Sequence, residues 1–178
     1  MERPENENTP HPKRHSGDGM DVTDGMDATG RAGGPGAEGG APVRFDTKIA
    51  VLLRDDLHTW QRLNVTAFLV SGIGTARPET VGEPYADADG TLYLAMFRQP
   101  VLVFVGSKET LTAAHTRALT RELPVSVFTS DLFATGNDRD NRAAVRAVPK
   151  DLLDLVGLAV YGPRNAVDKA FKGARMHP

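Results

Sequence analysis

Ile49 to Leu53, IAVLL, is an unbroken apolar run that stops abruptly at Arg54-Asp55-Asp56. It is too short for a free-standing helix, and its branched residues suit an interior strand. Because it does not alternate apolar with polar, the strand it forms must be covered on both faces. VLVFVG (101–106) repeats the pattern, VSVFT (125–129) follows Pro124, and GLAVYG (157–162) makes a fourth strand segment. Helical patterns separate them. Trp60, Leu63, Ala67, Phe68 and Ser71 recur at three-and-four spacing, which predicts a helix presenting that stripe to the core and ending at Gly72-Ile73-Gly74. Ser107 suits the cap of a second helix with the stripe Leu111, Ala114, His115, Ala118 and Leu119. Asn137 or Asp138 suits the cap of a third, through Ala143, Ala144 and Val148, interrupted at Pro149, and Asn165 the cap of a short last one. GEPYADADGTLYLAMF (82–97) predicts a short hairpin or irregular extended excursion around Asp89-Gly90. Apolar strands alternating with helices give an α/β sandwich around a mostly parallel or mixed sheet.

Residues 1–44 are compositionally separate. They hold nine of the chain's 18 Gly and five of its 12 Pro, no aromatic residue, and a charge of five basic minus eight acidic, or −3. Such a segment buries too little apolar surface to offset its ordering entropy, so it is expected to be a disordered Gly/Pro-rich extension before an α/β domain over 45–178. The formal net charge of −2 gives no electrostatic case for non-specific nucleic-acid binding. With no cysteine, disulfides and thiolate metal sites are excluded. No apolar run is long enough to cross a bilayer, and the first residues lack the apolar core of a secretory signal, so a cytoplasmic protein with no membrane partner is expected.

Open α/β folds place ligands where central strands end and helices begin. That singles out Arg54 and Asp56: an Asp there can serve as a general base, and an Arg can hold a carboxylate or phosphate bidentately. Asp56 equally suits a helix N-cap, and Arg54 an ordinary strand-end ion pair. Gln61 and Asn64 follow on the first helix, Asn64 on its apolar stripe, where a buried amide needs partners or a pocket. Asp138, Asn141 and Arg142 open the third helix, as ligand contacts or as a capped, solvated face. Asp87 to Gly90 reads as a turn. His58, His115 and His177 have no metal-ligand spacing, and no metal or cofactor is expected. Neither a phosphate-binding glycine motif nor a nucleophile elbow is present.

LLRDDLHTWQRLNVTAFLVSGI, GEPYADADGTLYL, ATGNDRDNRAAV and GLAVYGPRNAVDKAFKG together resemble the domain-of-unknown-function 2000 family over residues 45–178. That family resembles peptidyl-tRNA hydrolase II in fold. The resemblance implies a three-layer α/β/α sandwich around a four-stranded mixed sheet. The hydrolase pattern is Arg, one residue, then Asp-Leu, with Gly-Lys five residues on. Arg54, Asp56 and Leu57 match it, whereas Arg62 and Leu63 occupy the Gly and Lys places. The framework turn matches at Gly162-Pro163, Asp168-Lys169 and Gly173. An ammonium that polarises a carbonyl is not replaced by leucine. The expected function is therefore binding or processing of a small ligand at the cleft beside the first strand's end. Catalysis would fall to Asp56 and Arg54, and contacts to Gln61, Asn64, Asp138, Asn141 and Arg142. The alternatives are peptidyl-tRNA hydrolysis with Arg62 or Arg142 in place of the lysine, and a non-catalytic module that forms an oligomer, such as a homodimer, or binds another partner.

Overall fold

The computed structural model describes residues 43–177, so the extension read over 1–44 lies almost wholly outside the described residues. In chain order the elements are β1 (Thr47–Arg54), α1 (Thr59–Ala76), β2 (Tyr85–Ala86), β3 (Leu92–Tyr93), β4 (Val101–Gly106), α2 (Lys108–Thr120), β5 (Val125–Thr129), α3 (Asp138–Arg146), β6 (Leu155–Pro163), α4 (Arg164–Ala170) and β7 (Arg175–Met176). The main sheet runs β5-β6-β1-β4-β7. β1 and β4 are parallel, while β6 runs against both β1 and β5, and β7 against β4. The sheet is thus mixed and five-stranded rather than four-stranded. The fifth strand pairs only Arg175 and Met176 with Val105 and Phe104, too short a segment to show any periodicity.

β1 explains the unbroken apolar run. Ile49, Val51 and Leu53 pack with Val65, Leu69 and Ile73 of α1 on one face. Ala50 and Leu52 pack with Leu111, Ala114 and Ala118 of α2 and with Val167 and Ala170 of α4 on the other. Both sides of the strand are therefore core. α2 is capped as expected, Ser107 Oγ accepting from Thr110 N at 3.3 Å, and buries Leu111, Ala114, His115 and Ala118. Leu119 turns outward. Burial lowers the pKa of His115, with Asp151 acting in the opposite direction. α4 starts at Arg164 directly after Pro163, so Asn165 is inside it rather than its cap.

α1 departs most from expectation. Its buried face is Val65, Leu69 and Ile73, whereas Trp60, Leu63, Ala67, Phe68 and Ser71 are exposed. Two apolar stripes compete on this helix, and the narrower aliphatic one meets the flat sheet. Nor does the helix end at Gly72-Ile73-Gly74: it runs to Ala76. A Cβ on Gly72 would come within 2.5 Å of Ser126 Oγ, and one on Gly74 within 3.4 Å of the Phe97 ring. These glycines admit close neighbours instead of terminating the helix.

On the α1 side, β6 carries a bulge. Its pairing with β5 passes from Phe128–Gly157 to Thr129–Leu155, skipping Val156. Val156 belongs to the α1-side core, and the bare Gly157 backbone also faces Val65 and Leu69. Among the described residues no helix is long and apolar enough to cross a membrane.

Candidate functional site

The sequence-derived candidates separate into two environments. At the end of β1, Arg54 Nε donates to Asp56 Oδ1 at 2.7 Å and Nη1 to Asp154 Oδ1 at 3.0 Å. Lys108, at the start of α2, reaches the same Asp154 oxygen at 2.7 Å. The parallel neighbours β1 and β4 both end here, which is why Arg54, the last residue of β1, and Lys108, on the helix that follows β4, converge on the carboxylate that leads into β6. Hydrogen bonds from Lys108 and Ser130, together with the charge of Arg54, hold the Asp154 carboxyl at about 2. A carboxylate held so low is a poor proton acceptor at neutral pH. Asp56 is 63% exposed and pairs with Arg54; it does not cap α1. His58 is the cap residue, and its backbone N–H donates to Gln61 Oε1 at 2.9 Å. Gln61 therefore closes the helix start. The cluster is a self-compensated ion network.

Its linkage has a definite sign. Asp154 titrates lower in the folded than in the unfolded chain, whose carboxyl lies near 3.9. Its stabilisation is present above that value and is lost as pH falls toward about 2. Asp154→Asn is expected to cost about 1 kcal/mol near pH 7, after allowance for solvent screening of a partly exposed pair. In urea titrations at stepped pH, the gap between wild type and variant should close between pH 4 and pH 2.

The second environment is a cleft of about 480 Å³ between α1, the end of β5 and the start of α3. Asn64, Asp138 and Asn141 line it together, as does the outward aromatic part of α1, Trp60 and Phe68. Phe128 and Phe133 complete an aromatic wall: Trp60 meets Phe133 edge-on at 5.7 Å, Phe68 meets Phe128 edge-on at 5.8 Å, and Phe128 lies 5.2 Å from Phe133. These edge-to-face contacts leave the rings fixed but not sealed. The polar side is equally ordered. Asn137 caps α3, accepting from Asp140 N at 3.0 Å, and Thr135 Oγ1 hydrogen-bonds to the Asn141 side-chain oxygen. Asp138 is paired one turn on with Arg142, at 3.0 Å. Arg142 itself does not line the cleft but an adjoining shallow recess, which shares Leu132 and Asn141 with it and includes Val127, Val145 and Arg146. Asn64 makes no side-chain hydrogen bond among the described residues, and no Lys or Arg lines the cleft.

The sequence reading thus missed the cleft's aromatic members, because it assigned Trp60 and Phe68 to the core. A signal was present: two apolar stripes on one helix exceed what a single sheet face can cover. Arg62 holds other groups. Its Nε donates to Leu57 O at 2.9 Å, Nη2 to Asp55 O at 2.8 Å, and Nη1 lies 3.1 Å from His177 Nε2. Leu63 is 69% exposed and lines a separate apolar groove with Ala67. Among the described residues no group of three or more His, Cys, Asp or Glu side chains is placed to hold a metal ion.

Comparisons agree with this architecture and name no activity. The family described as Protein of unknown function (DUF2000) matches residues 47–178. A solved structure, that of the protein of unknown function Atu0240 from Agrobacterium tumefaciens str. C58, is 45% identical, with a TM-score of 0.74 over 76% of this chain and 100% of that one. Among curated proteins, none matches. With the family match spanning the main sheet and helices α1 to α4, this chain belongs to the DUF2000 family.

Proposed function

We propose that the protein binds a small organic molecule in the cleft between α1 and α3, through a flat or alkyl-ammonium group laid against the aromatic wall. The observation carrying this reading is the convergence of Trp60, Phe68, Phe128 and Phe133 with Asn64, Asp138 and Asn141 around one 480 Å³ space. A cavity of that size, with an aromatic wall facing a comparable stretch of ordered polar groups, has the make-up of a ligand site that orients what it holds. Aromatic faces attract cations and stack on planar groups. Among the described residues Asp138 carries the only formal charge on the lining, and its pairing with Arg142 leaves it exposed to the cleft. It disfavours phosphates and selects neutral or cationic ligands.

Hydrolysis of a peptidyl-tRNA ester remains the reading suggested by the likeness to peptidyl-tRNA hydrolase II. It is the weaker one here, because Arg62 is committed to backbone carbonyls and Leu63 faces an apolar groove. Absence of turnover of N-acyl-aminoacyl-tRNA above a buffer control would end it.

Trp60 is the chain's single tryptophan, so its emission reports directly on the cleft. A thermal-stability screen over neutral, cationic and anionic small molecules should yield stabilising compounds from the first two classes, because a ligand that binds only the native state must stabilise it. Those hits should change Trp60 emission, and Asn64→Ala or Asp138→Asn should weaken them by about tenfold, one lost polar contact being worth roughly 1.4 kcal/mol. Asp56→Ala should leave them unchanged. Hits that survive both cleft variants would place the ligand elsewhere.

A further inference from the structure

The excursion between α1 and β4 is anchored at its base and bare at its tip. Val81 bridges Phe97, Gly82 N donates to Met96 O at 2.8 Å, and Arg98 N donates to Thr80 O at 2.9 Å. Beyond that base, β2 and β3 pair Tyr85 with Tyr93 and Ala86 with Leu92, and every one of these residues is exposed. The hairpin is nevertheless well formed. Asp87 accepts from Asp89 N, Thr91 N and Tyr93 Oη at 2.8–3.0 Å, and Gly90 supplies the positive φ of 83° at the turn. A two-stranded hairpin with no covered face is marginal in water. Yet Leu92 is 77% and Leu94 89% exposed, beside Tyr85, Tyr93 and Met96. Single exposed apolar residues need no explanation; five on one projecting arm do.

A complementary surface lies along β4, the strand into which the excursion leads. An apolar groove of about 570 Å³ runs between α1 and β4, lined by Leu63, Ala67, Val101, Leu102, Val103 and Met176. β7 pairs only with Phe104 and Val105, and His177 N reaches Val103 O, so the start of β4 is left as an open sheet edge. The charges match as well. Between Arg77 and Arg98 at its base, the excursion carries Glu79, Glu83, Asp87 and Asp89 and no Lys or Arg, whereas the groove is flanked by Arg62 and by Arg175, which also lies 3.8 Å from Asp55.

From this apolar fit and opposite charge, we propose that the chain forms a two-fold dimer in which the hairpin arm of each copy seats in the α1–β4 groove of the other. The arrangement is isologous, each copy giving one arm and one groove, so it closes at two. The arm's five apolar side chains are between half and nine-tenths exposed, so at about 150–250 Å² for a whole aromatic side chain the arm alone offers on the order of 600 Å². The groove wall adds to this, against roughly 800 Å² per partner in a stable complex. The acidic arm and basic rim set the register and make association salt-dependent.

The test is light scattering and sedimentation on the full chain at micromolar concentration. Wild type should show twice the monomer mass of 19.1 kDa, with dissociation strengthened by salt. Leu94→Asp on the arm and Leu63→Asp in the groove should each give a monomer with unchanged circular dichroism, since both side chains face solvent within one copy. Mixing the two variants is decisive. A heterodimer of arm-variant and groove-variant regains one intact arm–groove contact that neither homodimer has, so the mixture should partly dimerise where each alone does not. Wild type at 19.1 kDa at 100 µM, dimers that persist in either variant, or a mixture that stays monomeric would each overturn the proposal.

Discussion

Gly157→Ala is expected to lower the free energy of unfolding by about 2–3 kcal/mol, a large loss for the addition of one methyl group. The added Cβ would stand 2.5 Å from Val65 Cγ1 and 3.0 Å from Leu69 Cδ1. Val65 has no rotamer to yield into, because a β-branched side chain in a helix has essentially one. Helix α1 must therefore move away from β6, across a face where Ile49, Val51 and Leu53 are already fully packed. Val65→Ala removes the clashing methyls and by itself leaves a cavity costing about 2 kcal/mol. The double variant should be more stable than the sum of the two single losses predicts, by at least 1 kcal/mol, because the groups share one space. Urea unfolding of the four proteins completes the cycle. Simple additivity would show that the bulge, and not this contact, sets the requirement for glycine.

How much of this molecule was legible depends on which residues are compared. The unbroken apolar runs of β1 and β6 stated their own covering on both faces, whereas β4 and β5 are only half-buried, and Ser107 and Asn137 act as the caps their positions suggested. Asp87 to Gly90 is a turn, for the reason aspartate and glycine favour turns: one side-chain oxygen takes two backbone N–H groups, and glycine accepts the positive φ. The side of α1 was not legible. Periodicity finds stripes but does not say which of two stripes meets the sheet, and the one richer in aromatics is the one left outside. That single inversion has wide consequences. It moves Trp60 and Phe68 to the α3 cleft and Leu63 and Ala67 to the β4 groove, so the most conspicuous helical pattern in the chain supplies surface concavities instead of core. Asn64 was singled out as a buried amide and lies in the cleft for the opposite reason. Arg54 and Asp56 were placed correctly at a strand end, but Asp154, which organises them, comes a hundred residues later, and no local pattern links the two.

Arg62→Ala should cost about 2 kcal/mol, the net worth of charged hydrogen bonds to backbone carbonyls at a partly exposed site. One guanidinium spans the carbonyls of Asp55 and Leu57, which clamps the turn between β1 and α1, and its third contact, to His177, ties that turn to the segment after β7. Because guanidinium has only donors, His177 Nε2 must act as the acceptor in that pair. Arg62→Lys keeps the charge but replaces a rigid fork with a single ammonium, which cannot meet both carbonyls and the imidazole at once. It should recover less than half of the loss. This ordering separates a structural arginine from one standing in for the missing lysine of a hydrolase. A cation acting on a substrate ester would be served at least as well by lysine, and its removal would abolish turnover while leaving stability nearly intact. A clamp gives the reverse: the alanine variant melts early, the lysine variant melts between the two, and compounds held in the α1–α3 cleft still shift the emission of Trp60 in both.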